Sequence, residues 1–336
     1  MPVNRRSFIT AGGAAAAAIA MPNILRSTPA SAANAITMQL DWKFNVQFAG
    51  LFMAQEMGLY EKAGLAVSFR EWEDGMNVID LAAASTDIIT CAEQNLILSG
   101  QADGRPVKAI ATMFQASPYG LMGKPDLPSL SLADLKGGTV GVHLDGMKVM
   151  QLVMGVNGIP ASDVTLVDIP YAKKYDRVLS GEMVAVQCYV VDEPLGVESV
   201  YKVKPVVLRQ SDFGFVSTAQ TVVASDAMLA AKPDQVKAFL KVSFDGWRAA
   251  LADIPAASKL VAGKYAVPGG KYTDVAYQEA SLRLIADYVT MGTTMDKIGV
   301  LDPAKWTKAA EMMAQYGIIP KLPDLSKTIA GDYMAV

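Results

Sequence analysis

Histidine occurs once in the chain's 336 residues, at position 143. That scarcity excludes an HExxH zinc site and any histidine-rich metal cluster. It leaves a Ser-His-Asp triad a single residue on which to be built. Cysteine occurs twice, at Cys91 and Cys188, too few for a disulfide framework. Both close apolar, strand-like runs and are expected as buried free thiols. GxxxxGK and a complete GxGxxG are absent. The run Ser199-Val200-Tyr201-Lys202 matches S-x-x-K without its companion motifs, so no catalytic role is assigned to it. Formal net charge is only −3, which gives no reason to expect nucleic acid or anionic lipid as a partner. No metal or cofactor is called for. Nor is there a long apolar run at the amino terminus. Ala11 to Ala20 is about half the ~20 residues a spanning helix needs, and Arg26 stands just beyond it.

The amino-terminal stretch carries a different signal. Arg5-Arg6-Ser7-Phe8-Ile9 precedes that Ala/Gly run, and Ala30-Ser31-Ala32 follows it. This predicts a cleaved export signal over 1–35. The paired arginines favour the twin-arginine route over the general secretory one, and hence a periplasmic location. No cysteine lies at the boundary to tether a lipid.

The roughly 300 residues after Ala35 exceed what a single core usually supports and suggest two lobes. With 51% apolar and 19% charged residues the chain can bury two cores. Strand-like and helix-like patterns alternate from Ile36 to Met113 and again from Thr139 to Val191, predicting parallel-dominated sheets covered by helices. Pro125 and Pro128 mark a connection between the two series, after which Ser131 to Asp134 reads as a capping box with Asp in place of Glu. A strand over Gln220 to Ala224 hands the chain back. Helices follow, the longest opening at Pro233 with Val236, Phe239, Leu240, Trp247 and Leu251 on one face. The expected organisation is a first lobe from 36–123 and 213–320, a second lobe from 124–212, and a tail from 321–336. Closure is expected about the crossings near Gly123 and Phe213.

The stretch from Ile36 to Phe69 reads as a complete βαβ unit whose first loop holds Asp41, Trp42 and Asn45 beside a helix start, with Gly58 ending the helix. Its order, strand, D-W, N, A-G, A-Q-E, G-L-Y, A-G-L-x-V, resembles the opening of the SsuA/THI5-like (NMT1) family. The run from Lys232 to Ala257 is similar to that family's carboxyl-terminal pattern. The resemblance implies an α/β fold of the type II periplasmic-binding-protein kind, with a ligand cleft between two lobes. It also implies a monomeric solute receptor that delivers a small molecule to an ABC permease in the inner membrane. Some family members are thiamine-pyrimidine synthases that use a lysine, a histidine and a cysteine-rich iron motif. At the matching positions this chain has Cys91 and Asn95, and Phe215 to Gln220 where the cysteines belong. Synthase chemistry is therefore not expected.

Candidate ligand contacts are the loops at strand carboxyl ends. They are Asp41, Trp42, Asn45, Gln47, Trp72, Glu93, Gln115 and Tyr119 in the first lobe, and His143, Gly146, Tyr189, Asp192 and Glu193 in the second, with Phe213 at the hinge. The Asp-Glu-Pro run at 192–194 resembles the family's E-P motif, whose glutamate contacts ligand in some members. Other roles stay open: Trp42 and Trp72 as core rings, Asp192 as a helix cap, His143 as a hydrogen-bonded strand end. Carboxylates outnumber cations in this set, with Lys43 and Arg209 the nearest basic residues. That balance favours a flat nitrogen heterocycle bearing amino groups, of thiamine-pyrimidine type, over a sulfonate or nitrate anion; riboflavin is a further candidate.

Overall fold

The computed structural model describes residues 34–171 and 174–334. The export signal expected over 1–35 lies outside the described residues except for Asn34 and Ala35. So does Ala172, where a helix was expected to begin.

Ten strands run in chain order: β1 Ala35–Gln39, β2 Ala66–Arg70, β3 Ile88–Ala92, β4 Val107–Phe114, β5 Tyr119–Gly123, β6 Thr139–Val142, β7 Thr165–Asp168, β8 Ala185–Tyr189, β9 Val206–Arg209 and β10 Ala219–Ser225. They form two five-stranded sheets, ordered β2-β1-β3-β10-β4 and β7-β6-β8-β5-β9. Each sheet is parallel except for one inserted strand. β10 runs antiparallel to β3 and β4, and β5 antiparallel to β8 and β9. The fold is thus two α/β lobes, each sheet accepting a strand that arrives from the other lobe's side of the chain.

The crossings sit where those two strands begin. The chain leaves the first sheet at Phe114 and enters the second at Tyr119. Residues 119–123 therefore belong to the second sheet, and the passage lies ahead of the boundary expected at Gly123. The reason is local: Gly120 and Gly123 weaken a strand pattern, yet Gly120 is held between β8 and β9, where a β-carbon would lie 2.6 Å from the Leu208 carbonyl oxygen. The return runs from Arg209 to Ala219, through Phe213. The Ser117 N–H donates to the Ser217 carbonyl at 2.9 Å, so the two passages are bonded to each other.

Caps set many helix starts. Asn45 accepts the Gln47 N–H at 2.7 Å, opening the turn Val46–Phe48 that leads into α1, Ala49–Glu56. Gly58, at φ +65°, then turns the chain in the left-handed conformation that glycine adopts freely. The Ser131 N–H donates to Asp134 Oδ2 at 2.8 Å, the expected capping box, although it opens only a short 3-10 turn.

The long helix α2, Pro233–Ala252, buries Val236, Phe239, Leu240, Phe244 and Trp247 against α1. The two helices cross at paired glycines. A β-carbon at Gly246 would sit 2.1 Å from the Gly50 carbonyl oxygen, and one at Gly50 would sit 2.1 Å from the Trp247 ring. This contact anchors the first lobe's core. A second cluster joins Leu98, Leu121, Val153 and Trp306 across both sheets.

The segment beyond 320 is packed rather than free. The Ala109 N–H donates to Thr328 O at 3.0 Å and the Ala330 N–H to Ala109 O at 2.9 Å, laying the terminus along β4. Thr328 and Met334 are buried. Among the described residues, no helix is long and apolar enough to cross a membrane.

Candidate functional site

A cavity of about 990 Å³ lies between the sheets. Its walls are the carboxyl ends of the parallel strands. β1 leads to Asp41 and Trp42, β2 to Trp72, β3 to Glu93, β6 to His143, β7 to Tyr171 and β8 to Asp192 and Glu193. The two antiparallel strands contribute from their amino ends, Tyr119 from β5 and Gln220 from β10.

Of the residues expected from the sequence, Asp41, Trp42, Gln47, Trp72, Glu93, Tyr119, His143, Tyr189, Asp192 and Glu193 line this cavity. Four do not. Asn45 is spent on capping and on the Lys43 carbonyl. Gln115 donates to Val300 O at 3.2 Å, tying the first crossing to the helical part. Gly146 lies inside α3, Leu144–Val156, where a β-carbon would fall 1.8 Å from Gln187 Oε1. Its role is to admit Gln187, which accepts the His143 N–H at 2.9 Å and itself lines the cavity. Phe213 packs into the second core cluster while its carbonyl accepts from Asn157.

The expected basic neighbours are also elsewhere. Lys43 Nζ donates to the Trp72 carbonyl at 2.6 Å, and Arg209 pairs with Asp212 at 3.0 Å.

Two lysines, Lys174 and Lys271, pair with acidic residues of the cavity wall. Lys174 is 5% exposed and pairs with Glu193 Oε1 at 2.5 Å. Its Nζ also reaches His143 Nε2 at 2.9 Å, while His143 Nδ1 faces the Ile169 carbonyl at 2.8 Å. A carbonyl oxygen only accepts and an ammonium only donates, so the ring carries its proton on Nδ1 and is neutral. Both readings left open for His143 therefore hold: it is hydrogen-bonded at the strand end and it faces the cavity. Burial works to raise the Glu193 carboxyl, but the Lys174 ammonium, then Lys271 and the Tyr189 N–H, hold it below the usual glutamate value.

Lys271 belongs to a second constellation, which spans the lobes. Asp192 stands at the start of α4, Glu193–Tyr201, but makes no side-chain cap there. Its carboxylate instead accepts from Lys271 Nζ at 3.0 Å, from the Tyr272 hydroxyl at 2.9 Å and from the Tyr277 hydroxyl. Tyr272 in turn accepts from Trp42 Nε1 at 2.8 Å. Burial, then the Asp192 charge, push the Tyr272 and Tyr277 hydroxyls up, so both remain donors at neutral pH. A further inter-lobe bond runs from the Tyr189 hydroxyl to Glu93 Oε1 at 2.9 Å. Burial and the Glu93 charge likewise raise Tyr189.

Flat rings close one wall. Trp42 and Trp72 stack with centroids 5.5 Å apart, and Tyr171, from the other lobe, lies 5.2 Å from Trp42 and stacks on His143 at 3.9 Å. Toward the other end Arg105 and Lys148 line the cavity, Arg105 paired with Asp80 at 2.8 Å. Among the described residues no group of three or more His, Cys, Asp or Glu is placed to hold a metal ion. Cys91 and Cys188 are buried and free, and Cys91 Sγ donates to Asp41 Oδ1 at 3.4 Å.

Several of these residues carried a readable signal. Tyr171 is the third residue after β7 and Gln187 is a polar residue amid an apolar strand, so the strand-end rule and the pattern break point to them. Lys271, Tyr272 and Tyr277 lie some 80 residues from Asp192 in sequence, and no local pattern foretells that meeting.

Two α/β lobes cross-linked by exchanged strands, with an aromatic and acidic cavity between their strand ends, define the two-lobed binding-protein class of fold. The chain belongs to the NMT1/THI5-like family, whose model matches residues 45–257. It is 24% identical to the riboflavin-binding protein RibY of Chloroflexus aurantiacus, over 89% of this chain and 86% of that one. A 4-amino-5-hydroxymethyl-2-methylpyrimidine phosphate synthase of Uromyces fabae is 24% identical over 50% of this chain and 48% of its own. Among solved structures, the periplasmic aliphatic sulphonate binding protein SsuA from Escherichia coli superposes with a TM-score of 0.66 at 14% identity. That match covers 88% of this chain and 92% of SsuA.

Proposed function

We propose that the protein is the solute-binding component of an ABC importer. In this reading it is exported to the periplasm by the twin-arginine route, acts as a monomer, and closes its lobes on a flat nitrogen heterocycle bearing amino groups. It then delivers that ligand, unaltered, to a membrane permease. The observation that carries the reading is the wall of Trp42, Trp72 and Tyr171 set beside the carboxylates of Asp41 and Glu93. Each ring pair would add about 0.5–1.5 kcal/mol beyond area burial, and each hydrogen bond to a carboxylate about 1.5–3 kcal/mol. A few such contacts reach the ~8 kcal/mol of a micromolar complex before ordering costs are subtracted. A sulfonate would meet Asp41 and Glu93, with Lys174 and Lys271 already committed to Glu193 and Asp192 and Arg105 to Asp80; of the lining cations, Lys148 donates to the Ile318 carbonyl rather than to a carboxylate.

The cavity volume favours a second, larger ligand. About 990 Å³ stands at the upper end of small-molecule sites and far exceeds one pyrimidine ring. A tricyclic heterocycle with a polar tail fits that space, in keeping with the ligand named for RibY. An enzymatic reading has less support, since the lysine and cysteine positions of the synthases are not matched here.

Calorimetry on the mature chain tests the reading with three probes: an aminopyrimidine, riboflavin and an alkanesulfonate. Binding of either heterocycle without turnover is the expected result. Tight binding of the alkanesulfonate alone, or conversion of a heterocycle, refutes it.

A further inference from the structure

Gln220 is the second residue of β10 and has an unusual backbone. Its φ is +49°, a left-handed value that side chains other than glycine's rarely adopt, least of all inside a strand. On either side of it Ala219 pairs with Phe114 and Thr221 with Thr112, while Gln220 is skipped by the ladder. Its side chain lines the cavity wall. There it is 2% exposed.

The amide is oriented by a neighbour. Gln220 Nε2 donates to Gln47 Oε1 at 3.3 Å, which sets the NH2 group on the Gln47 side and Oε1 on the other. Gln220 Oε1 is buried with no hydrogen-bond partner among the described residues. Asn95 repeats the situation. It lies 3% exposed in the first turn of the helix following β3, lines the same cavity, and its Oδ1 also lacks a partner. β3 and β10 are adjacent in the sheet, so the two residues share the cavity floor.

Buried polar atoms in a native fold are almost always paired, and strained backbone persists where something else holds it. Two acceptors in residues of one cavity wall, one of them carried by a strained residue, have no donor among the described residues. We propose that Gln220, seconded by Asn95, selects the ligand by accepting a hydrogen bond from an N–H on the edge of a nitrogen heterocycle. An exocyclic amino group or a ring imide N–H meets that requirement. This rests on the heterocycle-binding reading above and adds to it a rule of exclusion. A ring with only an acceptor or a methyl at that edge supplies these oxygens with no donor.

The test uses two matched pairs of probes: 4-amino-2-methylpyrimidine against 4-methoxy-2-methylpyrimidine, and riboflavin against 3-methylriboflavin. Calorimetry with the wild-type protein is expected to show the N–H member of a bound pair held about tenfold tighter, or more. In Gln220→Gly that preference falls to about threefold or less, as expected when the main acceptor is lost. Its melting temperature holds or rises, because glycine accepts the left-handed conformation without strain. Gln220→Met keeps the length and the strain without the oxygen, and is expected to lose the preference equally. Equal wild-type affinity for both members of a pair overturns the proposal, as does a preference that survives in both variants. Failure of the wild-type protein to bind either N–H probe refutes the heterocycle reading itself.

Discussion

Replacing Lys174 by Met tests the electrostatic account of the second lobe. The side chain is 5% exposed and holds both Glu193 and the neutral face of His143. Methionine fills much the same volume, so the change isolates the charge. Removing one partner of a buried pair typically costs 3–5 kcal/mol, because the other charge is left without compensation. Glu193 keeps 23% of its side chain exposed and still accepts the Tyr189 N–H at 2.7 Å. The expected loss is therefore at the lower end, about 3 kcal/mol, or about 6 °C in melting temperature for a chain of this size. Adding Glu193→Gln is expected to recover most of it, giving a double-mutant coupling of similar size.

The pH dependence fixes the sign. Glu193 titrates below its ordinary value in the fold. The stability it contributes is therefore present above the unfolded glutamate value of about 4.3 and is lost as pH falls through the lower folded value. In Lys174→Met burial is unopposed by that ammonium, and the carboxyl takes up its proton sooner. The gap between wild type and variant should narrow steadily from pH 7 toward pH 4 in thermal melts. A loss below 1 kcal/mol at pH 7, a double variant no more stable than the single one, or a gap independent of pH would each refute the reasoning.

Asp192→Asn keeps the shape of the inter-lobe cluster but removes the charge that draws Lys271 and the two tyrosine hydroxyls. With Lys271 39% exposed the pair itself is worth little, and a loss of about 1 kcal/mol is expected. The clearer readout is a larger radius of gyration for the ligand-free protein by small-angle scattering, and an unchanged radius would count against the cluster as a clasp. Gly246→Ala drives a methyl group to 2.1 Å from the Gly50 carbonyl oxygen and 2.7 Å from Ala54 Cβ. Forcing α1 and α2 apart is expected to cost about 2–3 kcal/mol, read as a lower urea midpoint at constant slope. A shift equivalent to less than 0.5 kcal/mol would show that the crossing is not tight.

The parallel framework was legible because apolar periodicity and cap residues speak locally. Ile36 to Phe69, Asp87 to Cys91 and Thr139 to Val191 carry their own alternation, and Gly58 and Pro233 punctuate it. Of the two antiparallel inserts, β10 is legible as the strand over Gln220 to Ala224, whereas β5 is not. β5 holds two glycines in five residues and follows Pro118, so its sequence carries no strand signal. β9 is a four-residue strand that gains its place only by pairing with β5. The site divides along the same line. Residues at parallel strand ends, from Asp41 to Glu193, follow from topology alone. Gln220 escaped because β10 runs the other way and offers its amino end to the cavity. The cations escaped because proximity in sequence placed Lys43 and Arg209 near the site, whereas folding gives each of them a local partner and brings Lys174 and Lys271 in their stead.

The terminus laid along β4 has a consequence for the molecule's behaviour toward copies of itself. At eight residues β4 is the longest strand in either sheet, and it stands at a margin. Main-chain groups at such a margin invite a neighbouring chain to extend the sheet. Here Thr328 and Ala330 already occupy the Ala109 donor and acceptor, so the protein's own last turns stand where an intruding strand would dock.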